Sequence, residues 1–450
     1  LYTNAREGIA LKEPGGAATD IHELFETIVQ HLPGPEIDEG AALQFQANNL
    51  EYNDYVGRLA IGRIVAGTIV SGESYSVCKL DGGRTQAKVT HLYGWLGLKR
   101  IELERATAGD IVAVAGFEDI AIGETVGALE DPKALPAIRI DEPTVAMTFS
   151  VNNSPWAGRE GEFVTSRKLR ERIEFESRRN VSIRIEESSV DSWQVLARGE
   201  LQLAVMVETM RREGYELQVS APRAVTRAIN GVLSEPMELV MIDIPAEFIG
   251  IVTQLLSPRK GKMRTMVTHT TGRVRLEYEI PSRGLIGFRS HFLTDTRGTG
   301  IMNPLFNGFA PWCGPIQSRT NGAMISDREG AASGYALWHL QERGQLFIGA
   351  GDPVYEGMIV GEYARETNLP VNVCREKKLT NIRAAGHDEA IRLSPPRILS
   401  LDLMLEWIDE EELVEVTPAA VRMRNRILKT SLRNKHRAAS HHPPPPSAPA

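Results

Sequence analysis

Between about Leu43 and Leu129 apolar and polar residues alternate in short runs, RLAIGRIV, ESYSVCKL, AKVTHLYG and DIVAVAGF, and helix-forming stretches are scarce. Turn signals at Asp81-Gly82-Gly83 and Gly109-Asp110 divide these runs at the spacing of an all-β domain, so a small closed barrel is expected there. From 141 to 223 the period changes. TVAMTFSV, VSIRIEES, SWQVLAR and YELQVS read as strands, and SRKLRERIEFESRR and ELQLAVMVETMRREG as helices, in the order β-α-β-β-α-β of a ferredoxin-like split unit. Residues 235 to about 306 repeat that order, with strands PMELVMIDIP, KMRTMVTH, GRVRLEYEIP and one near GIMNPLF, and helices FIGIVTQLLSP and GLIGFRSHFLTDTRG.

Both units pass from third strand to second helix through Arg-Gly, in LARGEL and IPSRGL. Gly199 and Gly284 permit a sharp exit that a Cβ would hinder. Arg198 and Arg283 precede them at exposed helix starts, suited either to a phosphate or to a neighbouring carboxylate.

The flanking regions differ. Residues 1–32 hold a short apolar start, a flexible KEPGGAATD stretch and an amphipathic helix, IHELFETIVQHL, with Asp20 or Thr19 as N-cap. PGPEID then breaks the pattern. Residues 312–430 are rich in glycine and short apolar runs, GYALWHL, GQLFIGAG and PVYEGMIVGEY, with a polar segment CREKKLTNIRAAGHDEA and a helix SLDLMLEWIDEEEL capped by Ser400. From Ser431 apolar content falls away, and the tail ending HHPPPPSAPA is expected to be disordered. The expectation is a multidomain α+β chain divided at 1–32, 33–135, 141–230, 231–311, 312–430 and 431–450.

Composition agrees with a folded chain: of 450 residues, 42% are hydrophobic and 24% charged. A net charge of −7 argues against a protein that coats nucleic acid all over, yet charge is uneven. An acidic block, Glu406, Asp409, Glu410, Glu411, Glu412 and Glu415, precedes a run without acids that holds Arg422, Arg424, Arg426, Lys429, Arg433, Lys435 and Arg437. That run suits phosphate contact, and equally a solvated basic helix end. Cys78, Cys313 and Cys374 lie far apart and read as reduced thiols, with no metal site expected. No apolar run reaches the roughly 20 residues of a membrane span. The N-terminus lacks a signal-peptide pattern, and a start at Leu1 suits a fragment.

Catalytic motifs are missing from the sequence. It contains no GxxxxGK[ST], whose amides and lysine would cradle phosphates, and no HExxH or GxSxG. DTRG at Asp295 and DREG at Asp327 match only a loose Asp-x-x-Gly pattern, and His91, His269 and His387 are isolated. No independent catalytic centre is expected.

Longer stretches carry a resemblance. VNNSPWAGREGEFVTSRKLRERI, RGELQLAVMVETMRREGYELQVSAPRAV, RVRLEYEIPSRGLIGFRSHF, RGQLFIGAGDPVYEGMIVGEY, KKLTNIRAAGHDEAIRLSPPR and LEWIDEEELVEVTPAAVRMR closely resemble the BipA/TypA family of ribosome-associated translational GTPases, from Leu1 to about Arg426. The resemblance implies a translation-factor barrel, two split units like the third and fifth domains of elongation factor G, and a family-specific, mainly β C-terminal domain. It implies that almost all of the GTP-binding domain is missing. LYTNAREGIA resembles its last strand and guanine-contacting loop, with Asn4-Ala5 where the family has Ser-Ala. GTP and Mg²⁺ belong to the intact family protein, and this chain alone should not hydrolyse GTP.

The partners implied are the large ribosomal subunit with its RNA and the tRNA acceptor end, in translation under stress and in large-subunit assembly. A cytoplasmic or plastid monomer with no membrane contact is expected. Arg375, Lys377, Lys378, Asn381 and Arg383, in a glycine-containing loop between apolar strands, are the expected RNA contacts, together with Arg422, Arg424, Arg426 and Lys429. Arg198 and Arg283 are further candidates for ribosomal RNA. A regulatory module that occupies ribosomal RNA without turnover is the alternative. The sequence departs from the family at Gln202, where histidine is usual, at Leu369-Pro370 and at Asn425.

Overall fold

Alternation across a pleated sheet puts every second side chain on one face, and the first of the chain's two units, residues 1–140, is built on that rule. The computed structural model describes residues 1–450 except 14, 17–19, 35, 36, 54, 139–141, 181, 270, 271, 317, 318, 320, 378–391, 434 and 436–450. An antiparallel sheet runs in the order Arg84–Lys88, Ser74–Cys78, Thr125–Gly127, Gln44–Asn53, Gly57–Ala66, Ile111–Ala115, His91–Leu96, Lys99–Glu102. Ile64, Phe45, Val126 and Val77 stand side by side across four neighbouring strands, all buried; Ala60, Val114 and Leu92 form a second row. Each large member contributes about 1.5–3 kcal/mol of burial, so a one-residue slip in register would expose a whole row.

Ahead of this sheet lie a hairpin, Tyr2–Asn4 with Ile9–Leu11, and helix α1, His22–His31. The N-cap of α1 is Ile21, without a side-chain capping bond, rather than the expected Asp20, whose Oδ1 accepts the His22 amide at 2.9 Å from one position further out; Thr19 lies outside the described residues. No residue of α1 is buried: Phe25, Ile28 and Val29 all face solvent.

In the second unit, residues 141–450, both split β-α-β-β-α-β arrangements are present. The first has sheet order Arg184–Ser189, Ser192–Ala197, Val145–Val151, Leu217–Ser220, covered by α2, Ser166–Arg179, and α3, Glu200–Arg212. Thr165 caps α2 by accepting the Lys168 amide, and Leu203, Val207 and Met210 of α3 fall at helical spacing onto the sheet. The second has order Lys262–Thr268, Arg273–Pro281, Val232–Pro245, Ile301–Pro311, with α4, Ile249–Leu256, and α5, Phe288–Asp295.

The chain departs from the expected elements in two places. The helix read over 284–298 is instead a 3-10 turn, Ser282–Leu285, and then the shorter α5, separated by Gly287 at φ +68°. The helix read from Ser400 to Leu413 ends early: after α6, Gly334–Leu340, comes α7, Leu401–Trp407, and the acids beyond it turn into strand Glu412–Val416. That strand pairs with Leu217–Ser220 and with Val421–Asn425, so a hairpin from the last region extends the first split unit's sheet. Leu413, Val414 and Val416 favour an extended chain and bury their side chains. The rest of that region is a small sheet, Gly344–Leu346, Ile359–Tyr363, Gly322–Ser326 and Leu369–Val371. Pro370 sits in the edge strand of this sheet, where a missing N–H is tolerated.

Candidate nucleic-acid interface

The polar loop after Leu369–Val371 leaves the sheet tethered. Asp327 N donates to Val371 O at 3.0 Å, Ser333 N to Val373 O at 2.8 Å, and the Ser333 hydroxyl, which also caps α6, donates to Arg375 O. Arg375 and Lys377 are exposed just beyond this anchor. Lys378, Asn381 and Arg383 lie outside the described residues.

The basic run does not form one surface. Arg422 and Arg424 share a face of strand Val421–Asn425, and that face turns inward onto residues 152–160. Arg422 donates to Glu160 at 2.7 Å and lies over the Trp156 ring at 4.8 Å. Arg424, 1% exposed, donates to Gln218 and Asn153; burial lowers its pKa. Arg424 is removed from the surface and Arg422, only partly exposed, is engaged by Glu160 and Trp156, which corrects the sequence reading: a strand's period of two turned both cations toward the protein. Arg426 and Lys429, past the strand's end, are exposed. Arg433 folds back to cap the carbonyls of Ile427 and Leu428.

The two helix-start arginines also separate. Arg198 is exposed and has no side-chain partner among the described residues. Arg283 is no open phosphate contact: it pairs through Nε with Glu235 at 2.5 Å, where Glu235 is fully buried, donates to Gly314 O, and stacks on Trp312 at 3.7 Å. Burial pushes the Glu235 carboxyl up, but the Arg283 hydrogen bonds and the Cys313 amide outweigh it and hold the carboxyl low. Gly199 has extended backbone and open space where a Cβ would stand, so the exit does not need glycine. Gly284 does: a Cβ there would lie 2.6 Å from Arg259 O.

Sequence reasoning gave the acidic block no interior role. Glu412 is fully buried against Arg319, at 2.9 and 3.0 Å. Glu415, also fully buried, accepts from Asn152 at 3.0 Å, Ser154 at 2.6 Å and Tyr355 at 2.6 Å. Glu216 accepts from Asn152 and from the Gly158 and Gly161 amides. Glu216 and Glu415 together tie the NNSPWAGREG loop to the sheet and its C-terminal hairpin. The signal available in the sequence was that loop's density of Asn, Ser and Gly, turn formers that supply donors. Gln202, one of the departures from the family pattern, donates through Nε2 to the Ser182 hydroxyl at 2.7 Å.

Near the start, Asn4 Oδ1 accepts the Arg6 and Glu7 amides in a local turn that includes Ala5. No group of three or more His, Cys, Asp or Glu suited to a metal occurs among the described residues, and none of their helices is long and apolar enough to cross a membrane.

With this geometry in place, comparison with known proteins is specific. Residues 42–129 match elongation factor G domain 2, residues 232–320 the elongation factor G C-terminus, and residues 321–430 the TypA/BipA C-terminal domain. The chain is 46% identical over 437 residues to the large ribosomal subunit assembly factor BipA of Bacillus subtilis, covering 97% of this chain and 71% of that protein. Proteins of the same name from Synechocystis and Escherichia coli K12 are 45% identical, covering 94% and 97% of this chain and 71% and 72% of theirs.

Proposed function

Because the chain belongs to the TypA/BipA family, we propose that it acts on the ribosome, as part of a translational GTPase that serves assembly of the large subunit. Identity along nearly the whole chain to proteins named for that assembly carries this reading. In it, the C-terminal region is the RNA-contacting part: Arg375, Lys377, Arg426 and Lys429 meet phosphates of ribosomal RNA, with Lys378, Asn381 and Arg383 continuing the same loop. Their exposure supports this for the four that are described. Arg198 is a further contact, and the tRNA acceptor end is the second nucleic-acid partner. The protein works as a monomer, in translation under stress as well as in assembly, in the compartment that holds the ribosomes.

GTP and Mg²⁺ would serve the family's hydrolysis, but the residues here do not fit them. The Asn4 carboxamide oxygen is turned onto its own loop amides, and the sequence holds no P-loop. No step is assigned to the nucleotide. The amphipathic α1, with its apolar face uncovered, is the element through which a GTP-binding domain would pack in this reading.

Sedimentation of the chain with separated large and small subunits tests the proposal. Enrichment with the large subunit that disappears at high salt is the expected result. Equal recovery with and without ribosomal particles would overturn it.

A further inference from the structure

The left-handed turn at Gly287 is held from three directions. From α3, the Glu200 carboxylate accepts the Gly287 amide at 3.1 and 3.2 Å. From α7, Glu406 accepts the Ser290 hydroxyl at 2.8 and 3.0 Å, and its side chain lies 3.4 Å from where a Gly287 Cβ would stand. From the turn after α4, Arg259 donates to Gly284 O at 3.0 Å and Ile286 O at 2.6 Å. Three segments far apart in sequence therefore meet on one turn: the first split unit, the second split unit and the C-terminal region.

The charges there do not balance. Glu200 faces Glu406 and Asp402 from α7 and Arg259 from the second split unit, while Glu406 also faces His291 of α5. Arg259, the guanidinium in the cluster, directs its Nη1 onto two backbone carbonyls rather than onto a carboxylate, and burial lowers its pKa. Burial first, and Glu406 second, push the Glu200 carboxyl up to about 7, against the Gly287 amide and Arg259. Burial raises Glu406 as well. We propose that this junction is a proton-operated latch: with a proton on the carboxylate pair, Glu200 and Glu406 clamp the Gly287 turn, and loss of that proton loosens the second split unit from α3 and α7.

The direction follows from linkage. A carboxyl raised from 4.5 to about 7 in the closed junction costs nothing below 4.5, opposes closure increasingly as pH rises toward 7, and adds no further cost above that. Closure is therefore tightest at acid pH and loosest from neutrality upward.

Hydrogen exchange of the full chain, corrected for the intrinsic pH dependence of exchange, reads the Gly287 amide directly. Protection of a peptide spanning 283–292 should fall roughly ten- to a hundredfold between pH 5 and 7 and then level off. Glu200→Gln, which keeps an acceptor for the amide, should flatten that profile. Glu406→Gln should leave a smaller fall, complete at lower pH. A flat wild-type profile overturns the latch whatever the variants do. So does an unchanged fall in Glu200→Gln, or an equal fall in a peptide from α2, which would mean that the whole unit is opening.

Discussion

Two junctions written almost alike, Arg198-Gly199 and Arg283-Gly284, are used differently. At the first the arginine is exposed, the glycine has room to spare, and α3 continues for more than three turns. At the second the arginine is paired with a buried acid and the glycine is required by close backbone approach. The helix there breaks at Gly287, where Glu200 of the first junction supplies an acceptor. Equivalent positions in a repeated fold are thus available to a partner only where packing leaves them free, and the second unit's arginine was drawn into structure by Glu235.

The contrast can be broken by substitution. Arg283→Ala leaves Glu235 buried and unpaired, and should cost about 3–5 kcal/mol in urea unfolding, whereas Arg198→Ala should change stability by less than about 0.5 kcal/mol. Comparable losses at both would erase the distinction. At the glycines, Gly287→Ala forces a side chain to φ +68° against Glu406 and should cost about 1–2 kcal/mol. Gly199→Ala, with extended backbone and open space, should stay within about 1 kcal/mol.

A smaller effect sharpens the comparison by pH. Glu235 is held below its ordinary 4.5, so its pairing with Arg283 stabilises the fold above that value and is lost as pH falls through the lower folded one. Glu235→Gln should remove this part of the acid-side loss in a series of urea midpoints. Arg198→Ala takes no partner from a buried acid and should follow the wild-type profile.

The β-α-β-β-α-β order of both units was legible because local periodicity and tertiary role agree there: Leu203, Val207 and Met210 are apolar at helical spacing and do face a sheet. The break at Gly287 was not legible, since its stabilising partners, Glu200 and Glu406, are 87 and 116 or more residues away in sequence. The acid-rich stretch after Trp407 misled for a related reason. Glu412 and Glu415 look like a solvated helix face, and only Arg319, Tyr355 and Asn152 brought to them from elsewhere make an interior strand possible. Of the candidate contacts, chemistry could nominate Arg422 and Arg424, but a strand's alternation buries Arg424 and turns the partly exposed Arg422 onto Glu160.

In the proposed function exposure selects the side chains that would meet RNA, and the salt dependence of binding to large ribosomal subunits tests that selection most directly. With Arg375, Lys377, Arg426 and Lys429 all changed to Ala, affinity should fall, and the slope of log affinity against log salt should flatten by about 0.7–0.9 for each phosphate no longer neutralised. The same slope as wild type in that folded variant would contradict it.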